Sequence, residues 1–423
     1  MMAIRTSFLS LCILRIVNRQ IIYISYDGMT DPLGQSQVIP YLIGLSSSGF
    51  KITLLSCEKK DRYALQGQSI SNLLRAHNIQ WEFIFFTSSP PILAKYYDLF
   101  LLKRKAIQLQ RVKNFSLVHC RSYVSAAVGL FLKKKFGLKF LFDIRGFWVD
   151  ERVDGGLWNM NNPIYKFAYK KYKIKEANYI ASSDTIVSLT ENGKKEIQKW
   201  GCYSNTPIDV IPCCADYDLF SILTHDENEL QKIRLGFSKD AFVLSYLGSI
   251  GTWYMLDEML DFFILLKEVN ENAKFLFVSN GDENIIKDAA NKKGILLEDL
   301  KIVNATRSEV PKFIQVSNLS LSFIKPAYSK KSSSPTKLGE LLALGIPVIC
   351  NTKIGDVEDI IKYTQGGLLI EDFSIIGYKN SIEELNSFLK NYSPVEVRER
   401  SKKYYDLKSG IEKYKEIYFR LLK

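Results

Sequence analysis

The sequence predicts an α/β protein made of two successive, doubly wound, Rossmann-like domains. Short apolar runs rich in β-branched residues alternate with helical patterns, and strands separated by helices form βαβ units around a parallel sheet. The alternation lapses near residues 200–210 and starts afresh at Phe242. The 423 residues leave room for two or three domains at roughly 100–200 residues each.

The elements follow in chain order. Residues 1–20 hold one apolar run, Phe8–Val17, interrupted by Arg15. It is too short to span a bilayer and lacks the small-residue cleavage site of a signal peptide. It reads as a frayed leader or a start-codon artefact, with a membrane-surface helix as the alternative. Ile21–Ser25 is the first strand, followed by a polar, glycine-bearing loop, Tyr26–Gln35. A helical pattern then runs from Ser36 to Ser48 and stops at Gly49. Lys51–Ser56, Trp81–Phe86 and Leu117–His119 are the next strands, and a helix ending in Lys133–Lys135 leads to Lys139–Phe142. After a helix at Pro163–Glu176 come strands at Tyr179–Ser182 and Ile186–Leu189, closing a first domain at 21–205.

Asp209–Pro212 and Asp216–Phe220 are irregular and open a second domain, 206–393. Phe242–Leu247 is its first clear strand, with Gly248-Ser249-Ile250-Gly251 and a helix at Leu256–Glu268 behind it. Lys274–Val278, Lys301–Val303, Leu319–Phe323 and Val348–Cys350 continue the series. A last helix, 394–423, is rich in Lys and Tyr.

Composition narrows the function classes. Apolar residues make up 47% and charged residues 24%, which excludes disorder, collagen and coiled coil. Seven cysteines without a C-x-x-C pair argue against a disulfide framework or a zinc site and fit a reduced, cytoplasmic setting. The net charge of +12 is uneven: residues 1–200 carry 29 basic and 14 acidic side chains, the rest 28 and 31. The first half therefore attracts anions such as phosphate-bearing substrates, an anionic membrane surface or nucleic acid.

In an open parallel sheet, ligands bind beyond the carboxyl ends of the strands, and that rule selects three loops. In Asp27–Gln35, Gly34 lets a phosphate or sugar approach the backbone, although a glycine before a helix is equally a plain turn. No G-x-G-x-x-G or G-x-x-x-x-G-K-[ST] occurs, so neither a nicotinamide dinucleotide site nor a P-loop is supported. In Asp143–Arg152 the arginines offer forked donors to phosphate, and the aromatics offer faces to sugar rings. An ion-paired surface turn is the plain alternative. His119 and Arg121 belong to the same sheet edge. The third loop, Lys330–Glu340, leads into a helix with Pro335 near its start and Gly345 and Pro347 after its end. Its N-terminus and Lys337 make a phosphate site, and Glu340 lies one turn deeper, within reach of a hydroxyl donor.

These residues resemble the retaining glycosyltransferases of family 4, group 1, which have the GT-B fold. The resemblance covers residues 21–400 and is sharpest at Ser333–Pro347, similar to the family's donor-binding helix with its Glu-x7-Glu motif and small-Gly-x-Pro-Val turn. Glu340 stands at the second Glu and Gly345-Ile346-Pro347-Val348 at the turn, while Ser332 holds the place of the first Glu. Where the family has Gly-Arg and a later Lys on the diphosphate, this chain has Gly248-Ser249 and Tyr254, leaving more of the charge to Lys337. Arg145 stands where many members have His near the reacting sugar. The loop Asp27–Gln35 and the run Arg145–Glu151 look like a bacterial branch that builds surface polysaccharide.

The resemblance implies two domains facing across a cleft, with the last helix returning to the first. It implies a UDP- or GDP-sugar donor held by Gly34, Gln35, Gly248, Ser249, Ser332, Lys337, Leu338 and Glu340, with Arg145 and His119 catalytic. A hexosyl group would pass with retention to a saccharide, lipid-diphosphate-linked acceptor at the inner face of the plasma membrane. No cofactor, metal or nucleic acid is implied, and Asp216-Tyr217-Asp218 is read as turn chemistry rather than a metal motif. The alternatives are a sugar-nucleotide epimerase of the same fold and a non-catalytic basic module that binds nucleic acid or membrane.

Overall fold

A computed structural model describes residues 18–203 and 205–423. Residues 1–17 of the expected leader lie outside them, and Gln20 already opens the first strand.

Among the described residues the first domain interleaves seven strands and eight helices. Its order is β1 (Gln20–Ser25), α1 (Pro32–Gln37), α2 (Ile39–Ser47), β2 (Lys51–Glu58), α3 (Lys60–Ala76), β3 (Gln80–Phe85), α4 (Pro91–Lys113), β4 (Leu117–Arg121) and α5 (Ser122–Phe136). It continues with β5 (Lys139–Asp143), α6 (Trp148–Asp154), α7 (Pro163–Ser182), β6 (Thr185–Ser188), α8 (Glu191–Lys199) and β7 (Ile208–Val210). The strands pair in parallel in the order β3-β2-β1-β4-β5-β6-β7. Helices cover both faces, so β1, β2, β4 and β5 are almost wholly buried, as continuous apolar runs demand.

The second domain repeats the scheme. It contains α9 (His225–Arg234), β8 (Phe242–Leu247), α10 (Leu256–Val269), β9 (Ala273–Val278), α11 (Glu283–Lys292), β10 (Leu300–Val303) and α12 (Val310–Ile314). Then come β11 (Leu319–Ser322), α13 (Thr336–Ala343), β12 (Val348–Asn351), α14 (Val357–Thr364), β13 (Gly367–Ile370) and α15 (Ile375–Lys390). The order is β10-β9-β8-β11-β12-β13, again parallel. In each sheet the winding reverses, between β1 and β4 and between β8 and β11, and such reversals open a crevice at the strand ends.

The structure corrects several boundaries. Tyr179–Ser182 is the last turn of α7 rather than a strand, because Tyr179 and Ile180 bury against the sheet at helical spacing from Glu176. A four-residue apolar run does not distinguish the two by itself. Ile208–Val210 pairs with β6 at the edge of the first sheet, so the crossing lies after Val210 instead of at 205/206. The expected helix Ser36–Ser48 starts earlier and is broken at Val38, just before Pro40. The strand β13 had no counterpart in the sequence reading.

The C-terminal stretch is two helices, α16 (Pro394–Tyr405) and α17 (Leu407–Leu422). Asp406 ends the first and caps the second, accepting from the backbone of Lys408 and Ser409. Only α17 returns to the first domain, where Tyr414, Ile417, Tyr418 and Leu421 join the core around β1 and α2. Arg398 ties α16 to the second domain through the carbonyls of Tyr217, Phe220 and Ala343. Among the described residues no helix is long and apolar enough to cross a membrane.

Candidate active site

The second domain builds its part of the site from the end of β8 and the start of α13. Gly248 follows β8 with φ of 121°, a region that glycine tolerates and other residues avoid. A Cβ at this position would overlap the end of Lys337, so the glycine is what lets the amine lie against the backbone. Lys337 Nζ donates to the Tyr246 hydroxyl at 2.9 Å and stands 3.5 Å from the Tyr254 ring centroid. Loss of water around the amine pushes its pKa down to about 7, with the Glu340 charge opposing the shift. Ser249 is exposed beside this pair. No side chain caps α13, so its N-terminal positive dipole is left to a ligand.

Glu340 is buried one turn deeper, and its Oε1 accepts from Arg307 Nη1 at 2.7 Å. The Arg307 guanidinium lies over the Phe220 ring, 5.3 Å from its centroid. Its loop is pinned by Asn280, which exchanges two 2.8 Å hydrogen bonds with the backbone of Ala305. Along the strand ends, the order β8, β9, β10 therefore presents Lys337 with Gly248, then Asn280, then Arg307. Leu338 points into the core, and its N–H donates to the Pro335 carbonyl.

The first domain places Arg145 directly after β5, in left-handed backbone with φ of 55°. For a non-glycine residue that conformation costs about 1–2 kcal/mol. Its Nη1 lies 3.7 Å from Asp143, and its Nη2 donates to the sulfur of Cys213 at 3.2 Å. Cys213 in turn donates its N–H to Ser334 at the approach to α13, so Arg145 lies across from the start of α13. Burial raises the Asp143 pKa, but the charges of Arg145 and Arg121 and the bond to His119 together outweigh it and hold the carboxyl below the usual range. Arg145 Nε and Arg121 Nη1 are buried without a protein partner among the described residues.

His119 is elsewhere. It lies beneath α17, with Nδ1 2.8 Å from the Tyr418 hydroxyl and its ring 4.3 Å from that of Tyr23. Burial pushes its pKa down, so it is a neutral core histidine behind Asp143 rather than a cleft residue. A place on a strand's carboxyl half did not guarantee access, because α17 covers it.

Gly34 and Gln35 serve their own loop. A Cβ on Gly34 would strike the Gly28 carbonyl, and Gln35 bonds to Thr30 and Gln66. The loop is anchored by Glu58, a buried carboxylate that accepts from the N–H groups of Met29 and Thr30 and the hydroxyls of Thr30 and Ser56.

Two family profiles match: glycosyltransferase family 4 over residues 41–219, and glycosyl transferases group 1 over residues 227–405. The chain is a GT-B glycosyltransferase of family 4, group 1. Comparison with curated proteins gives no match. Among solved structures, Anabaena Alr3699/HepE in complex with UDP and glucose is similar at 12% identity and a TM-score of 0.68, covering 94% of this chain and 98% of that one. A glycosyltransferase from Rickettsia africae ESF-5 is 16% identical with a TM-score of 0.67, covering 96% and 98%. WaaG, a glycosyltransferase involved in lipopolysaccharide biosynthesis, is 15% identical with a TM-score of 0.66, covering 94% and 99%.

In this glycosyltransferase the position of the motif's first Glu joins the domains. Ser332 is fully buried; its hydroxyl accepts the Phe147 N–H at 2.9 Å and donates to the Ser329 carbonyl. Its burial and these two bonds keep Ser332 from the donor-sugar role expected of it. The 3-10 turn Tyr328–Ser332 makes further bonds to the first domain: Ser329 N–H to Asp154, Lys330 to Glu151 and Lys331 to Glu196. Sequence reasoning missed Arg307 and this turn, since no spacing links residue 307 to 340 or 332 to 147.

Proposed function

We propose that this glycosyltransferase moves a hexosyl group from a UDP- or GDP-sugar to a saccharide on a lipid-diphosphate carrier, with retention at the anomeric carbon. The setting is bacterial surface-polysaccharide synthesis at the cytoplasmic face of the membrane. The observation that carries the donor side is Lys337: a cation with no carboxylate on it, seated against Gly248 at an uncapped helix start. UDP in the similar Anabaena protein supports the same ligand class.

Negative charge gathers on the leaving diphosphate in the transition state, and preorganised donors aimed there supply the largest catalytic term. Lys337 and the α13 N-terminus provide them without a metal. Glu340, held by Arg307, accepts the ribose hydroxyls. On the acceptor side, the free donors of Arg121 and Arg145 suit a phosphate-bearing substrate. A thermal-shift panel of nucleotide-diphospho-sugars tests the donor reading, because a ligand at 100 times its Kd stabilises by about 2.7 kcal/mol. A shift with UDP or GDP sugars that disappears in Lys337→Ala is expected. No shift with any of them would overturn the proposal, and the anomer of the product, read by NMR, tests retention.

A further inference from the structure

The helices α4 and α7 flank α5 on one face of the first sheet, and their outer sides are unusual for solvent-facing helices. On α4, Leu93, Tyr96, Tyr97 and Phe100 are each more than half exposed. Their spacing of three and four residues puts them on a single stripe, which Lys103 and Arg104 continue. On α7, Ile164, Phe167 and Ile174 are likewise more than half exposed, interleaved with exposed Lys166, Lys170 and Lys171. A scattered exposed apolar residue needs no explanation, but two parallel stripes of them do.

The charge on these helices has one sign. Together they carry 11 Lys and Arg against two acids, Asp98 and Glu176. Both acids are buried and turned inward, Asp98 to Tyr26 and Glu176 to Tyr123. The helices are tied into one surface by Lys95, whose ammonium stands 4.2 Å from the Trp148 ring and 5.7 Å from that of Tyr172 on α7. Trp148 begins α6, three residues after Arg145, so the surface borders the acceptor side of the cleft.

We propose that the α4–α7 face docks on an anionic lipid bilayer, with its aromatic and aliphatic side chains in the headgroup boundary and its lysines on lipid phosphates. Apolar side chains among Lys and Arg on a helix lying in the plane suit that boundary. A second copy of this chain would bring like charge against like charge. Nucleic acid would leave Leu93, Ile164 and Ile174 without a partner. The inference rests on the proposed function only in that a lipid-linked acceptor would meet the cleft from this side.

The test is co-sedimentation of the full chain with phosphatidylcholine vesicles, with and without phosphatidylglycerol, at low and high salt and with no acceptor present. Binding only to the anionic vesicles, weakened by salt, is expected. The Lys166→Gln/Lys170→Gln/Lys171→Gln variant should bind about a hundred-fold more weakly, given the attraction of each basic residue to an anionic surface. The Tyr96→Ser/Tyr97→Ser/Phe100→Ser variant should lose binding at high salt first, where the apolar contribution carries more of the affinity. Unchanged UDP affinity in both variants shows that they remain folded. Wild-type protein left in the supernatant with anionic vesicles would overturn the proposal while leaving the donor reading intact, as would wild-type binding by both variants. A concentration-dependent dimer dissolved by the aromatic variant would also overturn it and assign the face to a second copy.

Discussion

In the proposed function, Lys337 and Glu340 divide donor recognition between the two ends of one helical turn. Losing a charge-assisted hydrogen bond costs about 1.5–3 kcal/mol, or about one to two orders of magnitude in affinity. Lys337→Ala should therefore weaken UDP far more than uridine, and calorimetric titration of both ligands checks this. Equal losses would remove the diphosphate role. Glu340→Gln should weaken the two alike, and Arg307→Ala should reproduce it, because Arg307 fixes the carboxylate proposed to meet the ribose.

The lowered pKa of Lys337 adds a pH dependence. With the amine near 7 in the free protein, a bound diphosphate favours the ammonium and raises that value. UDP binding then takes up a proton above pH 7, and its affinity falls by about tenfold per pH unit there. Titrations at pH 8 in buffers of different ionisation enthalpy should show uptake approaching one proton. A flat affinity from pH 6 to 9 would show that the amine is already charged.

Arg145 belongs to a different balance. It faces a buried carboxylate, Asp143, so its removal strands a charge as well as emptying a cleft position. Breaking a buried pair costs about 3–5 kcal/mol. Arg145→Ala should thus lower the unfolding midpoint as well as turnover, in contrast to a loop arginine with no core role. A variant of wild-type stability would place Asp143 in contact with water.

At the scale of elements, α17 is a latch made by the second domain for the first. Tyr418 meets His119, and Tyr414 donates to Asp143 at 3.0 Å. Tyr418→Phe leaves the buried His119 Nδ1 without its partner, at a cost of about 1–3 kcal/mol. Thermal unfolding should register that loss while UDP affinity stays at the wild-type level. A fall in UDP affinity with no change in midpoint would show that α17 acts on the site itself.

For the whole molecule, the turn Tyr328–Ser332 and the loop before α13 join the domains beside the proposed donor site. Phe147 lies against both Trp200 and Tyr328, and Lys330 reaches Glu151 while covering the Trp253 ring. If the donor binds at α13 as proposed, domain arrangement and donor binding are coupled. Replacing Tyr328 and Lys330 together with Ala should enlarge the radius of gyration in solution scattering, and UDP should narrow the difference. An unchanged radius would mean that other contacts hold the domains.

The sequence alone determined the class of fold and the placing of Lys337 and Glu340 on one helix. Strand runs such as Phe242–Leu247, helix stops such as Gly49 and the Lys337–Glu340 spacing are encoded over two to four residues, the range in which backbone geometry repeats. Tertiary structure decided the rest. His119 and Tyr418 are 299 residues apart, Phe147 and Ser332 are 185 apart, and Arg307 and Glu340 are 33 apart. No local period relates such pairs. Whether a histidine lines a cleft or lies under a helix, and whether a serine meets a ligand or a backbone N–H, depends on which surfaces come together when separate elements bury their apolar faces.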